Sequence, residues 1–336
     1  MSYLVNIDDA ISKIREGSVL GMPTETVYGL AGRIDRRETI ENIFKTKGRP
    51  FFDPLIVHVS DMDQARQVAE FGLISETLAK HFWPGPLTLV LPKRSLVSDL
   101  ITSGLQAVGV RMPRHPLALE LIAAVGIPLA APSANKFGKT SPSEAAHVLQ
   151  EFQQDNVPVL DGGPCHIGIE STVLLVDESR GAISVLRPGY ITETMINEFL
   201  HEAQVPHQFH AVENKSAAPG QLKHHYMPQI PLVLVLKEYL TQDELMSQIQ
   251  DIIRKAPDEV EGVRLVKPAQ AVTNLVEIKL PKDPVLAARQ LYSNLRSVAE
   301  SGADAMYFHK TEDHGGELWE SIFERLTKAS TGIIRE

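Results

Sequence analysis

The amino-acid sequence predicts an α/β protein of two domains. A larger domain with a twisted mixed sheet is followed by a linker and by a smaller domain with a parallel sheet. Two observations predict this class. The chain has 336 residues, which at roughly 100 to 200 residues per domain is enough for two hydrophobic cores. Short apolar runs of strand type also alternate with longer segments in which apolar residues recur at helical spacing.

Helices and strands are interspersed in the first domain. Helical spacing predicts helices at Asp8–Arg15, Glu38–Phe44, Ser75–Phe82, Pro116–Val125 and Ser143–Phe152. β-rich runs predict strands at Ser18–Met22, Leu55–Val59, Leu87–Leu91, Ala107–Arg111, Ser171–Val176 and Ile183–Leu186. Because the last two strands follow each other without a helix, we expect a mixed sheet. A serine cap at Ser141 predicts that the last helix starts at Pro142.

The regular pattern stops after the first domain and resumes near residue 231. Residues 206–230 are polar and interrupted by proline, which predicts an extended linker between domains at 1–205 and 231–336. Strands are then predicted at Leu232–Leu236, Gly262–Val266 and Ala305–Phe308. The helices that alternate with them are predicted at Asp243–Arg254, Pro284–Ser301 and Glu317–Lys328. This alternation is typical of a small parallel α/β domain.

Composition and charge exclude several classes of protein. The net charge is −9, with 18 basic against 24 acidic residues up to residue 205 and 15 against 18 after it. Neither part has the basic excess that strong, direct nucleic-acid binding needs. The single cysteine, Cys165, cannot form an internal disulfide. Because no signal-peptide pattern and no apolar run of membrane-spanning length is visible, we expect a cytoplasmic protein without a membrane partner.

Polar side chains gather at the ends of the predicted strands, where ligands bind in open α/β sheets. The segment Pro23–Leu30 carries two threonines, a glutamate and a tyrosine, although a threonine-capped turn explains it equally well. Lys45, Lys47 and Arg49 then place three cations within five residues. Such a cluster can complement a helix dipole at a solvated helix end, or it can clamp phosphate groups.

Further polar groups follow later strands of the first domain. Arg111 ends an apolar strand, so a carboxylate or a phosphate should lie close to it. The other strand-end groups are Ser133 with Asn135, Leu160–Gly163, Ser171 with Thr172, and Arg187–Gly189. Without the cation cluster, which follows a helix, six strand-end groups lie in this domain, and they favour a shared binding site over six unrelated turns.

Two sharper hypotheses do not fit. Cys165 and His166 are adjacent in an extended segment, so their side chains point to opposite faces and do not form a nucleophile with its base. The histidines near the linker match no zinc-binding spacing; they are His201, His207, His210, His224 and His225. No G-x-G-x-x-G or Walker A loop occurs, so a nucleotide site would have to be built another way.

Taken together, these motifs resemble the threonylcarbamoyl-AMP synthase family in its long form. The matching segments are PTETVYGLAG (23–32), KGRP with PLIVHV (47–59), FWPGPLTLVL (82–91), VGVRMP (108–113), PLAAPSAN (128–135), SPSEA (141–145), GIESTVL (168–174) and LRPG (186–189). PGQLKHHYMP (219–228) resembles the linker motif of the long form, and AARQLYSNLR (287–296) and ERLTKAS (324–330) resemble its C-terminal domain. The resemblance implies a YrdC-like first domain and a smaller Rossmann-like parallel α/β domain.

The resemblance also implies a reaction. L-threonine, bicarbonate or CO2, and ATP would give threonylcarbamoyl-AMP and pyrophosphate, which makes the protein a nucleotidyltransferase. The product would pass to a tRNA threonylcarbamoyl-transfer complex that modifies the adenosine next to the anticodon, at tRNA position 37. Mg2+ would enter with the triphosphate and needs no protein cage of its own.

The family motifs assign roles to individual residues. Lys47 and Arg49 match the K-x-R motif and are the expected catalytic residues. The positions expected around L-threonine are Thr26, His58, Arg111, which would pair with the carboxylate, and Ser171. The positions expected around ATP are Lys47, Arg49, Asp53, Ala107, Ser133, Asn135, Ser141, Arg187 and Tyr226. Residues 219–228 are expected to fold over the ATP site as a lid.

The chain departs from the family pattern at a few positions. Asp53 stands where the family often has asparagine or another neutral or basic residue, and Ala218, Lys223 and His224 replace common linker residues. Two other classes compete with the synthase. Carbamoyltransferases of hydrogenase maturation carry cysteine-rich zinc fingers, which a single cysteine excludes. An RNA-binding module is disfavoured by the acidic balance of both domains.

Overall fold

The computed structural model describes residues 3–211, 223–237, 240–268 and 270–335. These residues form two compact units. Unit 1 contains residues 3–136 and 142–211, and unit 2 contains residues 137–141 together with the described residues from 223 onward. The predicted first domain, 1–205, contains residues 137–141, which the structure places in unit 2. Residues 212–222 of the predicted linker lie outside the described residues.

The described part of unit 1 is built on an 11-stranded sheet. Its strands are β1 (Leu4–Val5), β2 (Leu20–Met22), β3 (Gly29–Arg33), β4 (Ile56–His58), β5 (Leu87–Pro92), β6 (Ala107–Arg111), β7 (Leu129–Ala130), β8 (Val159–Leu160), β9 (Thr172–Asp177), β10 (Ala182–Arg187) and β11 (Gln208–Phe209). They lie in the order β1-β8-β2-β3-β7-β4-β6-β5-β9-β10-β11. The sheet is mixed, as predicted, because β4 and β6 are parallel whereas β5 and β6 are antiparallel.

Helices of unit 1 bury apolar side chains in the core of this unit. They are α1 (Ile7–Glu16), α2 (Arg37–Lys47), α3 (Met62–Val68), α4 (Leu73–Phe82), α5 (Asp99–Thr102), α6 (Pro116–Val125), α7 (Ala145–Glu151) and α8 (Glu193–Glu202). Ile43 and Phe44 of α2 and Leu78 of α4 belong to the same buried cluster as Leu89 and Val110 of the sheet. Burying such side chains is the main favourable term in folding this unit.

The predicted start of α7 at Pro142 is wrong. The helix begins at Ala145, with Glu144 in the N-cap position. The carbonyl oxygen of Pro142 accepts a hydrogen bond from the amide of Tyr28, at 2.9 Å, and the carbonyl of Ser143 accepts one from Cys165, also at 2.9 Å. These backbone bonds to distant loops hold residues 142 and 143 in a non-helical conformation, so tertiary contacts override the local helix-start pattern.

Unit 2 contains the parallel sheet that the sequence predicts. Its strands are β12 (Leu232–Val235), β13 (Glu259–Val260), β14 (Val263–Arg264), β15 (Leu275–Glu277), β16 (Ala305–His309) and β17 (Gly332–Ile334), and its helices are α9 (Gln242–Lys255), α10 (Pro284–Glu300) and α11 (Glu317–Ala329). The sheet order is β15-β16-β12-β17, and all of these neighbours pair in parallel. The parallel α/β character of this unit is therefore confirmed.

The predicted strand Gly262–Val266 is wrong as a member of that sheet. Only Val263–Arg264 is extended, and it pairs antiparallel with β13 in a separate hairpin. Glu261 and Gly262 both have positive φ, 52° and 80°, which is the conformation of a tight two-residue hairpin turn. The strand positions next to β16 and β12 are taken instead by β15 and β17, which are only three residues long.

Residues 137–141 pack within unit 2. The Met227 amide donates to the carbonyl of Gly138 at 2.8 Å, and the Thr140 amide donates to the carbonyl of Met227 at 3.2 Å. Gly138 has φ of 76°, and a Cβ there would lie 2.8 Å from carbons of Val263, so this close approach requires glycine.

Among the residues that the structure describes, no helix combines the length and the apolar character needed to cross a membrane.

Candidate active site

Arg111 is the centre of a buried polar group in unit 1. It ends β6, opposite His58 at the end of the parallel strand β4. Its side chain is 4% exposed. One guanidinium nitrogen, Nη2, lies 2.7 Å from Oε1 of Glu25, and Nη1 donates to Oγ1 of Thr26 at 2.9 Å. Nε donates to the carbonyl of Gly85 at 3.2 Å. Glu25 is thus the carboxylate that burial of Arg111 requires.

The loop that carries Glu25 is both a threonine-capped turn and part of this group. Oγ1 of Thr24 accepts from the amide of Thr26 at 3.2 Å and donates to the carbonyl of Val27 at 2.6 Å. Thr24 therefore shapes the turn, while Thr26 meets Arg111. The hydroxyl of Tyr28 donates to the carbonyl of Gly163 at 2.9 Å. Burial raises the pKa of Tyr28, which makes this phenol a structural hydrogen-bonding group and not an acid at neutral pH.

His58 is buried beside Arg111 and is uncharged at neutral pH. Burial is the main cause, and the neighbouring Arg111 guanidinium adds to it, so the pKa of His58 falls from 6.5 to about 3. A neutral imidazole can still exchange hydrogen bonds with a ligand. It adds no positive charge to the site.

The low pKa of His58 makes the stability of the protein depend on pH. Between pH 6.5 and 3, His58 is protonated in the unfolded chain but not in the folded protein. The contribution of this residue to the free energy of unfolding is therefore fully present above pH 6.5 and is lost as the pH falls. Lowering the pH from 7 to 5 should therefore cost about 2 kcal/mol through this residue. Urea unfolding should show this extra loss in the wild type and not in His58→Asn. The matched control, His166→Gln at an exposed position, should behave like the wild type. Equal acid losses for wild type and His58→Asn would contradict this prediction.

Ser171 joins a second polar group. Nε and Nη2 of Arg187 donate to the carbonyl of Ser171 at 3.2 and 3.0 Å, and Oγ of Ser171 lies 2.8 Å from Oγ1 of Thr88. Arg187 ends β10 and is buried. Gly189 follows at a point where a Cβ would lie 2.5 Å from the backbone nitrogen of Thr172. The GIESTVL and LRPG segments therefore meet, and close backbone approach explains the glycine.

Lys47 meets the Ser133–Asn135 segment through main-chain groups. Its ammonium, on a side chain that is 2% exposed, donates to the carbonyl oxygens of Ser133 at 2.5 Å and of Asn135 at 2.6 Å. The helix α2 ends here because Gly48 adopts the left-handed conformation, with φ of 62°. Burial, followed by the charge of Arg49, lowers the pKa of Lys47. The solvated helix-end interpretation is therefore wrong for Lys47.

Arg49 is also buried, and its partner is Asp53. Nη2 of Arg49 lies 2.9 Å from Oδ2 of Asp53 and donates to the carbonyl of Pro54 at 2.8 Å. Nε donates to the carbonyl of Asp53 at 3.1 Å. Asp53 thus faces a cation and not solvent, so its charge is balanced where the family often has a neutral or basic residue.

Three further positions are expected around ATP. Ala107 begins β6, about 13 Å along the strand from Arg111, so a ligand that touched both would have to extend along the sheet. It also lines a cavity of about 640 Å³ with residues such as Val90 and Leu175. Ser141 and Tyr226 belong to unit 2, and their contact with ATP stays a prediction.

Tyr226 is a buried residue of unit 2. It has a positive φ of 65°, its carbonyl accepts from Oγ1 of Thr140 at 3.1 Å, and its ring centroid lies 5.7 Å from that of Tyr292. Residues 219–222 of the predicted lid lie outside the described residues. The lid therefore stays a prediction.

The structure gives no support to Cys165 as a nucleophile or to a metal site among the described residues. Burial, with the charge of Glu25, raises the pKa of the Cys165 thiol, which keeps it protonated. Within the described ranges, no group of three or more His, Cys, Asp or Glu side chains could hold a metal ion. Two partners of the predicted site residues were not predicted from the sequence, Glu25 for Arg111 and Thr88 for Ser171. Thr88 is a polar residue in the apolar strand β5, which could have indicated it.

Two family models match the chain. One, described as "Telomere recombination" and covering Sua5, YciO and YrdC proteins, matches residues 12–189. The other, described as the C-terminal domain of threonylcarbamoyl-AMP synthase, matches residues 191–331. Together they span most of both units. Their order along the chain is the one that the sequence motifs indicate.

Similar proteins cover nearly the whole chain. Threonylcarbamoyl-AMP synthase of Pyrococcus abyssi is 36% identical and covers 98% of both chains, and that of Bacillus subtilis is 36% identical over 98% of this chain and 94% of its own. The solved structure of P. abyssi Sua5 complexed with L-threonine has a TM-score of 0.80 and 33% identity over 99% of both chains. A variant of the same Sua5 gives a TM-score of 0.79. The chain therefore belongs to the threonylcarbamoyl-AMP synthase family, which is a family of enzymes.

Proposed function

We propose that this protein synthesises threonylcarbamoyl-AMP and pyrophosphate from L-threonine, bicarbonate or CO2, and ATP, as a nucleotidyltransferase. One observation supports this reaction most directly. Unit 1 buries four cationic side chains among its described residues, and they stand in the segments KGRP, VGVRMP and LRPG that resemble the family: Lys47, Arg49, Arg111 and Arg187. Burying a cation is costly unless polar or anionic groups surround it. Glu25 and Asp53 pair with two of the four, whereas Lys47 and Arg187 donate to main-chain carbonyls. Anionic substrates would bring further negative charge for these cations to stabilise.

The chemistry needs such cations. Carboxylated threonine is a weak anionic nucleophile, and it must attack an α-phosphorus that is itself surrounded by negative oxygens. Cations lower the repulsion between the two reactants and hold them in line. They act more strongly in a buried site, because water screens them less there. The deprotonated carbamate attacks phosphorus and pyrophosphate leaves, so no protein nucleophile is needed.

The two ends of the reaction are assigned to different cations. Arg111 would hold L-threonine together with Thr26, His58 and Ser171, the other positions that the family motifs place around this substrate. The P. abyssi relative binds L-threonine in its solved complex. Lys47 and Arg49 would hold the phosphates, and Arg187 would contact ATP.

Mg2+ is proposed to arrive on the phosphates of ATP. The carboxylate of Asp53 already pairs with Arg49, and the described residues offer no carboxylate cluster for the ion. No step is therefore assigned to a metal held by the protein. The product would pass to a tRNA threonylcarbamoyl-transfer complex in the cytoplasm.

Product analysis tests this proposal. The protein is incubated with ATP, Mg2+, L-threonine and 13C-labelled bicarbonate, and the nucleotide products are examined by mass spectrometry. We expect an adenylate that contains both threonine and the labelled carbon. An adenylate of threonine that lacks the label would contradict the carbamate intermediate, and retention of RNA without any adenylate would favour the binding-module alternative.

Serine should be a poorer substrate than threonine. It lacks only the methyl group, and the contact of one methyl group with a pocket discriminates by roughly 1 to 3 kcal/mol. The ratio of kcat/KM values for the two amino acids should therefore favour threonine by about tenfold or more. Pyrophosphate release measured over a range of each amino acid gives this ratio. Equal values for serine and threonine would contradict the prediction.

A further inference from the structure

Glu25 is a buried carboxylate to which the proposed reaction has so far given no role. It is 3% exposed, and the peptide groups around it are fixed, because the amide of Ile167 donates to its carbonyl at 2.8 Å and that of Gly168 to the carbonyl of Thr26 at 3.1 Å. Its side chain forms an ion pair with Arg111 at 2.7 Å. Neither carboxylate oxygen accepts a hydrogen bond of good geometry from the described residues.

An ionised carboxylate can accept about four hydrogen bonds, so Glu25 keeps most of its accepting capacity at a buried position. Buried polar groups are otherwise almost always paired. A ligand that brings hydrogen-bond donors, and a positive charge, would satisfy it. The neighbouring Arg111, conversely, offers donors to a negative group.

The charge balance of this pair decides which ligands fit. Arg111 and Glu25 together are neutral, and His58 beside them carries no charge. A ligand with only a carboxylate would meet an arginine that is already neutralised and would add a second negative charge next to Glu25. A zwitterion can place its carboxylate on Arg111 and its ammonium on Glu25 and leaves the site neutral.

We propose that Glu25 receives the α-ammonium group of L-threonine while Arg111 receives its carboxylate, so that the two residues select a zwitterionic amino acid. This inference rests on the proposed function for the identity of the amino acid. It adds a specificity-determining residue to the cations that the family motifs indicate.

Ligand binding to the whole protein tests the inference. Calorimetric titration compares L-threonine with 3-hydroxybutyrate, which keeps the carboxylate and the hydroxyl but lacks the amine. In the wild type, threonine should bind at least about tenfold more tightly. In Glu25→Gln, threonine should bind about tenfold or more weakly than in the wild type, while 3-hydroxybutyrate binds as well as before or better.

A matched control uses an arginine–carboxylate pair of unit 1 that belongs to no proposed site. Asp35→Asn removes the acid that pairs with Arg33 at 2.6 Å, so it should leave the ratio of threonine to 3-hydroxybutyrate affinity unchanged. Parallel weakening of both ligands in Glu25→Gln would show a merely structural role and overturn the inference. If that variant does not fold, equal affinity of the two ligands for the wild type overturns it as well.

The outcome also separates this inference from the proposed function. Threonine-dependent pyrophosphate release by the wild type, with an unchanged affinity ratio in Glu25→Gln, would contradict the role of Glu25 alone. A shifted ratio in a protein that releases no pyrophosphate would contradict the proposed function alone.

Discussion

Replacing Arg111 by glutamine should abolish threonine-dependent pyrophosphate release and lower the free energy of unfolding by about 3 to 5 kcal/mol. The loss of stability follows from burial, and the loss of turnover follows from the proposed contact with threonine. The substitution leaves the carboxylate of Glu25, 2.7 Å from the lost guanidinium, in the protein interior without a counterion. It also removes the cation that is proposed to hold the carboxylate of threonine. Urea unfolding measures the first effect, and the threonine dependence of turnover measures the second.

Two further variants separate stability from binding. Arg114→Gln is the matched control, because Arg114 is exposed and donates to the main-chain carbonyl of Pro84. It should cost little stability. The double variant Glu25→Gln with Arg111→Gln removes both buried charges and should recover much of the lost stability without recovering turnover. A single Arg111→Gln variant that is as stable and as active as the wild type would contradict the account of this site.

Lys47→Met should lower the rate of pyrophosphate release by about 100- to 1,000-fold, the usual effect of removing one group that stabilises developing negative charge. Methionine keeps most of the apolar stem of the side chain and removes its ammonium. The carbonyls of Ser133 and Asn135 lose a donor, so we also expect a stability loss of about 1 to 3 kcal/mol.

Lys45→Met provides the comparison for this variant. Lys45 lies in the same last turn of α2 but is exposed, so its replacement should change neither turnover nor stability appreciably. Unfolding curves establish whether the Lys47 variant remains cooperative. Turnover near the wild-type rate in a folded Lys47→Met protein would mean that this ammonium has only a structural role, as a donor to the carbonyls of Ser133 and Asn135.

Elements with strong end signals could be predicted from the sequence. The helix Pro116–Val125 has the same ends in the structure, because a proline stands at its first turn and Gly126 adopts the left-handed conformation after it. The strand Ala107–Arg111 is likewise correct. β15 and β17 were missed, because three residues are too few for a periodic pattern.

Parts of the site that depend on tertiary contacts could not be predicted. An arginine at the end of an apolar strand indicated that a carboxylate or a phosphate lies close to Arg111, but only the structure shows that Glu25 supplies a carboxylate. Lys47 binds main-chain carbonyls of residues 133 and 135, and carbonyls are present at every position, so no sequence signal marks them. The non-helical backbone at Pro142 has the same origin, since a hydrogen bond from a distant loop holds it.

The most direct test of the central claim is the rate of pyrophosphate release from ATP in an omission series. The wild-type protein is assayed with L-threonine and bicarbonate together, with each alone, and with neither, in buffers freed of CO2. We expect release only when both are present, because the carbamate of threonine is the nucleophile that attacks the α-phosphorus. Release at an equal rate without bicarbonate, or without threonine, would contradict the claim that this protein makes threonylcarbamoyl-AMP.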